Sequence, residues 1–320
     1  MKNFNKKMYG ISMFLLINSM NFSYGDSREC IENSDCNSCQ PACCNSWFVS
    51  ADFLYWRTFE SGLDICTPCV VSDFINADGV LVSQFCGRGQ DLHFGWDPGF
   101  RIGIGYDLPC SDWDLSVYWT HFYSKAQNNT HANEIHLNVN YNVIDLVARY
   151  ECDLNNCFSL NPLLGLRGAK IHQNLHMASD PNATCDSEVS NFTNINNSKQ
   201  KFFGVGPLLG LEAEWNMGCN FSFYTDIAIS WLYGNFDVNF AGSNEFPGAI
   251  SRYNVCKHLN ANLAVTDAGL GIRWQTCFCT NRILMLELGL EHHRYFDYNR
   301  FGCSGDLSFD GVNFSAGFEF

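Results

Sequence analysis

The sequence predicts an all-β chain, a transmembrane antiparallel up-and-down β-barrel of about ten strands with a range of roughly 8–14. Three observations predict it. Residues 312–320 alternate without exception: Val312, Phe314, Ala316, Phe318 and Phe320 share one face, and Asn313, Ser315, Gly317 and Glu319 the other. Such a period of two marks a strand with one apolar and one polar side. Half-apolar stretches of this kind recur along the chain, and their connections are long and tight in strict alternation, as in barrels with long extracellular loops and short periplasmic turns. Beyond residue 25 no apolar run approaches the ~18 residues of a helical span, a test that barrel strands escape because every second residue is polar.

Residues 1–25 read as a secretory signal peptide, with Lys2, Lys6 and Lys7 as its basic region and residues 11–17 as a short apolar core. Ser23-Tyr24-Gly25 offers a cleavage site, which starts the mature chain near Asp26. Residues 26–46 are polar and hold Cys30, Cys36, Cys39, Cys43 and Cys44. Too short for a core, they are expected to form a periplasmic, cross-linkable N-terminal segment ahead of a barrel at 47–320.

The first strand, residues 47–56, turns Val49, Ala51, Phe53 and Tyr55 to one face and Ser50 and Asp52 to the other. A long loop at 57–97 follows. Residues 100–106 then place Arg101, Gly103, Gly105 and Asp107 inward, and a tight turn at 108–111 leads to a strand at 113–122. Next, Ile135, Leu137, Val139 and Tyr141 alternate with polar residues as an outward apolar face, until the parity slips at Val143-Ile144 and predicts a β-bulge. Beyond it Ile144, Leu146, Ala148 and Tyr150 face out, with Asp145 and Arg149 facing in. A strand at 158–171 precedes a long Asn- and Ser-rich loop at 172–200. Strands at 204–215 and 221–233 join at 216–219, and a long loop covers 234–262. Strands at 264–274 and 283–293 join across 276–280, and a loop at 295–305 leads to the closing strand. Pro162 and Pro207 cannot donate to a ladder, so bulges or shortened strands are expected there.

Several of these stretches resemble one porin-like family. They are Trp47-Phe-Val-Ser-Ala-Asp-Phe-Leu-Tyr-Trp56, Phe59-Glu-Ser-Gly-Leu-Asp64, Trp96-Asp-Pro-Gly-Phe-Arg-Ile-Gly-Ile-Gly-Tyr106 and Asp112-Trp-Asp-Leu115. Pro162-Leu-Leu-Gly-Leu-Arg-Gly168, Gly204-Val-Gly-Pro207 and the Phe320 ending complete the set. The chain is similar from about Trp47 onward to the Legionella-type major outer membrane protein family, which is also expanded in Chlamydia-related bacteria. That resemblance implies an outer-membrane β-barrel with porin or structural roles, partly cysteine cross-linked. It supplies no catalytic residues to carry over, and the Cys-dense segment before Trp47 is left unmatched by it.

Composition sets further bounds. Without the three lysines of the leader, 16 basic residues face 33 acidic ones, a formal charge of −17, which argues against a nucleic-acid partner. Seventeen cysteines in a secreted chain read as disulfide candidates. They are Cys30, Cys36, Cys39, Cys43, Cys44, Cys66, Cys69, Cys86, Cys110, Cys152, Cys157, Cys185, Cys219, Cys256, Cys277, Cys279 and Cys303. None is expected in the body of a strand, and eleven fall in the N-terminal segment or beside the tight turns, on the periplasmic side. The odd count leaves a thiol that is free or bonded to another envelope protein. Purely internal staples are the plainer alternative. A zinc site from Cys36, Cys39, Cys43 and Cys44 has poor spacing, and Cys66-Thr-Pro-Cys69 lacks the context of a redox dithiol.

Alternation sends Asp52, Asp107, Asp114, Asp145, Glu212, Glu214, Asp226, Asp267, Glu287, Glu291 and Glu319 inward, with Arg101, Arg149, Arg167 and Arg273 as the basic complement. An acidic lumen favours cations if it conducts; alternatively, the acids and arginines pair across the lumen and fill it. Inward glycines are expected to widen a bore that ten strands leave narrow, since about eight strands are filled by side chains and open porins have roughly 16–18. Phe314, Phe318 and Phe320 are read as the outward assembly signal of the last strand. Glu291-His292-His293 is a faint hint of hydrolysis with no partner to name. The expectation is therefore an outer-membrane barrel, not an enzyme, without a cofactor. Its porin-like passage of small solutes is combined with a structural, disulfide-linked role, and a filled, non-conducting structural or adhesive barrel is the alternative. Its expected partners are outer-membrane lipid, other cysteine-containing envelope proteins and, in a homo-oligomer, further copies of itself.

Overall fold

The computed structural model describes residues 46–62, 66–75, 81–89, 92–109, 111–130, 133–155, 157–179, 184–185, 188–189, 193–246, 249–278, 282–301 and 304–320. The expected signal peptide and nearly all of the N-terminal segment lie outside them. The strands are β1 (Ser46–Glu60), β2 (Cys66–Ile75), β3 (Leu81–Gly89), β4 (Trp96–Asp107), β5 (Trp113–Thr130), β6 (Asn133–Tyr150), β7 (Asp153–Asn155) and β8 (Phe158–Ser179). They continue with β9 (Thr184–Cys185), β10 (Glu188–Val189), β11 (Thr193–Gly218), β12 (Phe221–Phe246), β13 (Ala249–Phe278), β14 (Arg282–Asn299) and β15 (Gly305–Glu319).

Ten of these, β1, β4, β5, β6, β8 and β11 to β15, close an antiparallel barrel in which each pairs with its neighbours in sequence order. The C-terminal strand makes the seam. β15 pairs with β1 from Leu307↔Glu60 to Glu319↔Phe48, and the backbones of Phe320 and Trp47 exchange two hydrogen bonds of 2.9 Å. Closure leaves no unpaired edge, the one sheet arrangement that satisfies every backbone group within lipid. At the tight ends, β11 meets β12 through Cys219-Asn220, whose φ angles of 53° and 66° define a two-residue turn with both central residues left-handed.

Outward side chains mark the lipid. Trp47, Val49, Phe53 and Tyr55 on β1, Trp113 to Trp119 on β5, Leu164 and Leu166 on β8, and Ile227 to Tyr233 on β12 are exposed apolar residues. Aromatic pairs bound the band, with Trp47 against Tyr106 and Trp113 against Tyr150 at the turn end, and Tyr55 against Trp96 at the other. From Trp47 to Tyr55 a strand climbs about 20 Å at ~3.3 Å per residue and ~40° tilt, near the ~25 Å apolar band of such barrels.

The strands do not stop at that band. β5 and β6 run on to Thr130 and Asn133, β8 to Ser179, β11 begins at Thr193, and β12 and β13 reach Phe246 and Ala249. The loops expected at 172–200 and 234–262 are therefore largely strand. The 57–97 connection contains a β2–β3 hairpin, and β14 continues to Asn299. These segments look unlike barrel strands because their polarity is reversed. Above the band water lies outside and the chain fills the inside, so the apolar residues turn inward.

That reversal also removes the expected bulge. β6 pairs with β5 and β8 in one unbroken register through Val143 and Ile144. Ile135, Leu137, Val139, Tyr141 and Val143 face inward and are buried, and Ile144 and Leu146 face lipid. The pattern changes because the solvent changes, not because the backbone does. Pro162 and Pro207 likewise cause neither bulge nor shortening: β8 and β11 keep register through both, and Pro207 leaves a two-residue gap in its ladder with β12.

Candidate functional site

The interior is the site at which passage is decided, and it has two tiers. In the lipid-embedded tier the inward acids and arginines find each other. Arg101 donates to Asp52 at 3.2 Å and forks onto Glu291 at 2.9 and 3.0 Å. Glu291 lies 3.3 Å from His293, which lies 2.7 Å from Asp267. Asp267 accepts from Arg167 at 2.5 Å, and Arg167 forks onto Asp145 at 2.7 and 2.9 Å. A chain of seven side chains thus crosses from β1 to β6 through the lumen. Nearer the turns, Arg273 holds Glu212 at 3.0 Å, Glu287 at 2.5 Å and also Glu214. Arg149 reaches Glu212 at 3.4 Å and Asp114 at 3.9 Å.

Asp226 faces the same interior beside Gly269, and Asp107 accepts from the Ser46 hydroxyl at the turn end. Glu319 lies near Asp107 at the same end, and Arg167, Glu212 and Asp267 are under one-tenth exposed. Fork-to-carboxylate geometry is the strong form of ion pair. Removing one partner of a buried pair costs about 3–5 kcal/mol because the other charge is stranded.

Above this tier lies an apolar plug that sequence reading did not isolate. Leu54, Trp56, Phe122, Phe202, Phe236, Tyr295, Tyr298, Leu307 and Phe309 are fully buried inside the barrel. Their rings interlock, with Tyr141 and Phe309 centroids 4.7 Å apart, Phe202 and Phe236 4.7 Å, and Trp56 and Phe122 5.4 Å. Tyr141 and Tyr295 share a hydroxyl hydrogen bond of 3.0 Å. His293 joins the tiers, its ring 4.8 Å from that of Trp56. The hint at Glu291-His293 thus resolves into a ring packed between two acids and an indole. The available signal was the parity reversal itself, which marks the height at which each strand begins to feed the plug.

The inward glycines do not widen the bore. A methyl group at Gly105 would sit 2.1 Å from the Phe48 ring, at Gly103 2.6 Å from Tyr118, at Gly204 2.4 Å from Phe202, and at Gly269 2.3 Å from Asp226. Each glycine makes room for a neighbour that fills it.

Cysteine placement is partly as expected and partly not. Cys157 and Cys277 are disulfide-bonded. Cys152, Cys219 and Cys256 instead carry free thiols, so these three candidates form no intrachain bridge. Cys256 stands in the body of β13, and Cys66, Cys69 and Cys86 stand in β2 and β3, contrary to the expectation that strands hold none; Cys69 is directly opposite Cys86. Cys185 lies in β9. Cys30, Cys36, Cys39, Cys43, Cys44, Cys110, Cys279 and Cys303 lie outside the described residues. On the closing strand Phe314 and Phe320 are half-exposed to the lipid side, and Phe318 stacks on Phe320 with centroids 6.0 Å apart.

Residues 39–317 match the family model of the Legionella pneumophila major outer membrane protein precursor. The chain belongs to this outer-membrane protein family. The match starts eight residues before Trp47 and so takes in Cys39, Cys43 and Cys44. No curated protein matches the chain. Among solved structures, this family member is similar to the outer membrane protease OmpT from Escherichia coli, at 14% identity and a TM-score of 0.46, over 86% of this chain and 96% of that one. It is also similar to the translocator domain of the autotransporter NalP from Neisseria meningitidis (10%, TM-score 0.36, covering 87% and 88%) and to OprG from Pseudomonas aeruginosa (9%, TM-score 0.31, covering 86% and 94%).

Proposed function

We propose that this outer-membrane barrel serves the envelope as a structural, thiol-linked protein whose lumen is filled by its own side chains. One observation carries the reading: the bore is occupied twice over, by the Arg101–Glu291–His293–Asp267–Arg167 chain and by the plug around Trp56 and Phe309. Ten strands allow at most a narrow lumen, and both tiers draw on several strands, so no single loop lifts away to open them.

A narrow, porin-like and cation-preferring passage is the second reading, favoured by the acidic excess of the lower tier. Among the fifteen inward residues eleven are acids and four arginines, so a network loosened enough to admit water would attract cations. Single-channel recording of the folded protein in a planar bilayer under a salt gradient separates the two. The filled barrel gives no discrete steps. Steps with a cation-selective reversal potential would put the second reading in front, and anion-selective steps would contradict the assigned inward faces.

A further inference from the structure

Outward-facing cations are distributed unevenly just above the lipid band. On the β14–β15 wall they are neutralised, His292 by Asp310 and Arg294 by Asp306. On the β8–β11 wall they are not. Lys170 and His172 on β8 face outward beside Lys199 and Lys201 on β11, with Lys201 directly across from His172 and Lys199 across from Asn174. Phe203, across from Lys170, and Leu166, Val205 and Leu209 below are exposed to lipid. Lys170, Lys199 and Lys201 make no ion pair among the described residues. The nearest cross-strand carboxylate, Asp237, is opposite Lys201 but is held by His258 at 2.5 Å. On the other flank Lys170 and His172 meet the neutral Asn142 and Asn140 of β6. Partial burial and then the two flanking lysines, Lys170 and Lys201, hold the His172 imidazole below its ordinary pKa, as expected beside like charges.

We propose that Lys170, His172, Lys199 and Lys201 form a docking surface for the phosphate groups of the outer leaflet's phosphorylated glycolipid. Height and charge both fit. Lys170 stands level with its cross-strand partner Phe203, and Lys201 and Lys199 follow two and four residues beyond Phe203 on β11, where a glycolipid whose acyl chains pack on Phe203 and Val205 carries its phosphates. A lysine near an anionic lipid surface is worth roughly fivefold in affinity. The inference rests on the outer-membrane location and not on whether the lumen conducts.

Native mass spectrometry of the folded full-length protein in detergent, titrated with diphosphorylated lipid A, dephosphorylated lipid A and inorganic phosphate, tests it. The expected result is binding of the diphosphorylated lipid, at least about tenfold weaker binding of the dephosphorylated one, and none of phosphate alone. Binding should fall at least about tenfold in Lys170→Gln/Lys199→Gln/Lys201→Gln, survive in the matching triple arginine variant, and stay within about twofold in Arg252→Gln/Lys257→Gln/Arg294→Gln. The substituted side chains point into solvent, and heat-dependent electrophoretic mobility verifies folding. Equal binding by the glutamine triple and wild type, equal loss in both glutamine triples, or phosphate binding as tightly as the lipid would each overturn the assignment.

Discussion

Glu60 is the most exposed to argument of the single residues. It ends β1 above Arg57, beyond the lipid band, with its carboxyl turned into the top of the plug. One oxygen accepts from Gln173 at 2.8 Å and the other has no partner among the described residues. Burial raises its pKa to about 8, against which the Gln173 hydrogen bond works only weakly. A carboxyl whose folded pKa is raised is best tolerated protonated, so its drag on stability is absent below the unfolded value near 4.5. That drag grows as pH climbs from there to about 8, and is constant above. Glu60→Gln is therefore expected to raise the thermal midpoint at pH 9 and leave it nearly unchanged at pH 4.5. Circular-dichroism melts at the two pH values check this, and an equal shift at both would contradict it.

Among the elements, the β11–β12 connection carries a specific strain. Both residues of a type I′ turn need positive φ, which Asn and Gly tolerate and Cys does not. Cys219 sits there at φ 53°. Cys219→Asn with Asn220→Gly installs the favoured pair and should stabilise the hairpin by about 1 kcal/mol, or about 2–4 °C in a melt. An unchanged melting temperature would mean that the strain is relieved elsewhere. The strands themselves show how far sequence reaches. The lipid-facing halves of β1, β4 and β15 were legible because strict alternation with apolar residues outward has one meaning in a membrane. The upper halves of β6, β8, β11 and β12 were not, since inward Leu, Val and Phe opposite Asn, Lys and His look the same as a shifted register or a polar loop. Inward charge could be read residue by residue from alternation. Which acid met which arginine could not, because Arg101 and Glu291 are 190 positions apart.

For the whole molecule, closure by β15 on β1 puts the tight turns and Ser46, where β1 begins, at one end. Cys219 and Cys152 present free thiols there. If these bond to neighbours, native envelopes prepared with a thiol-blocking agent should run as high-mass ladders on non-reducing gels and collapse to monomer on reduction. Cys152→Ser/Cys219→Ser should thin the ladder, and monomer alone in untreated envelopes would end the cross-linking reading.

The change of polarity around the ring also has a mechanical meaning. Arg57, His121, Lys170, Lys201, Asn235 and His292 each face outward just past the last lipid-facing apolar side chain of their own strand, on strands locked to one another by register. The barrel therefore carries a fixed waterline. Lipid with longer chains cannot be met by sinking one side, because tilting drowns charges on the opposite wall, nor by sinking the whole, because every strand would submerge a polar side chain at once. The bilayer has to do the adjusting, thinning to the protein at a cost of fractions of a kcal/mol per ångström of mismatch. A barrel built this way sets the local thickness of its membrane rather than following it.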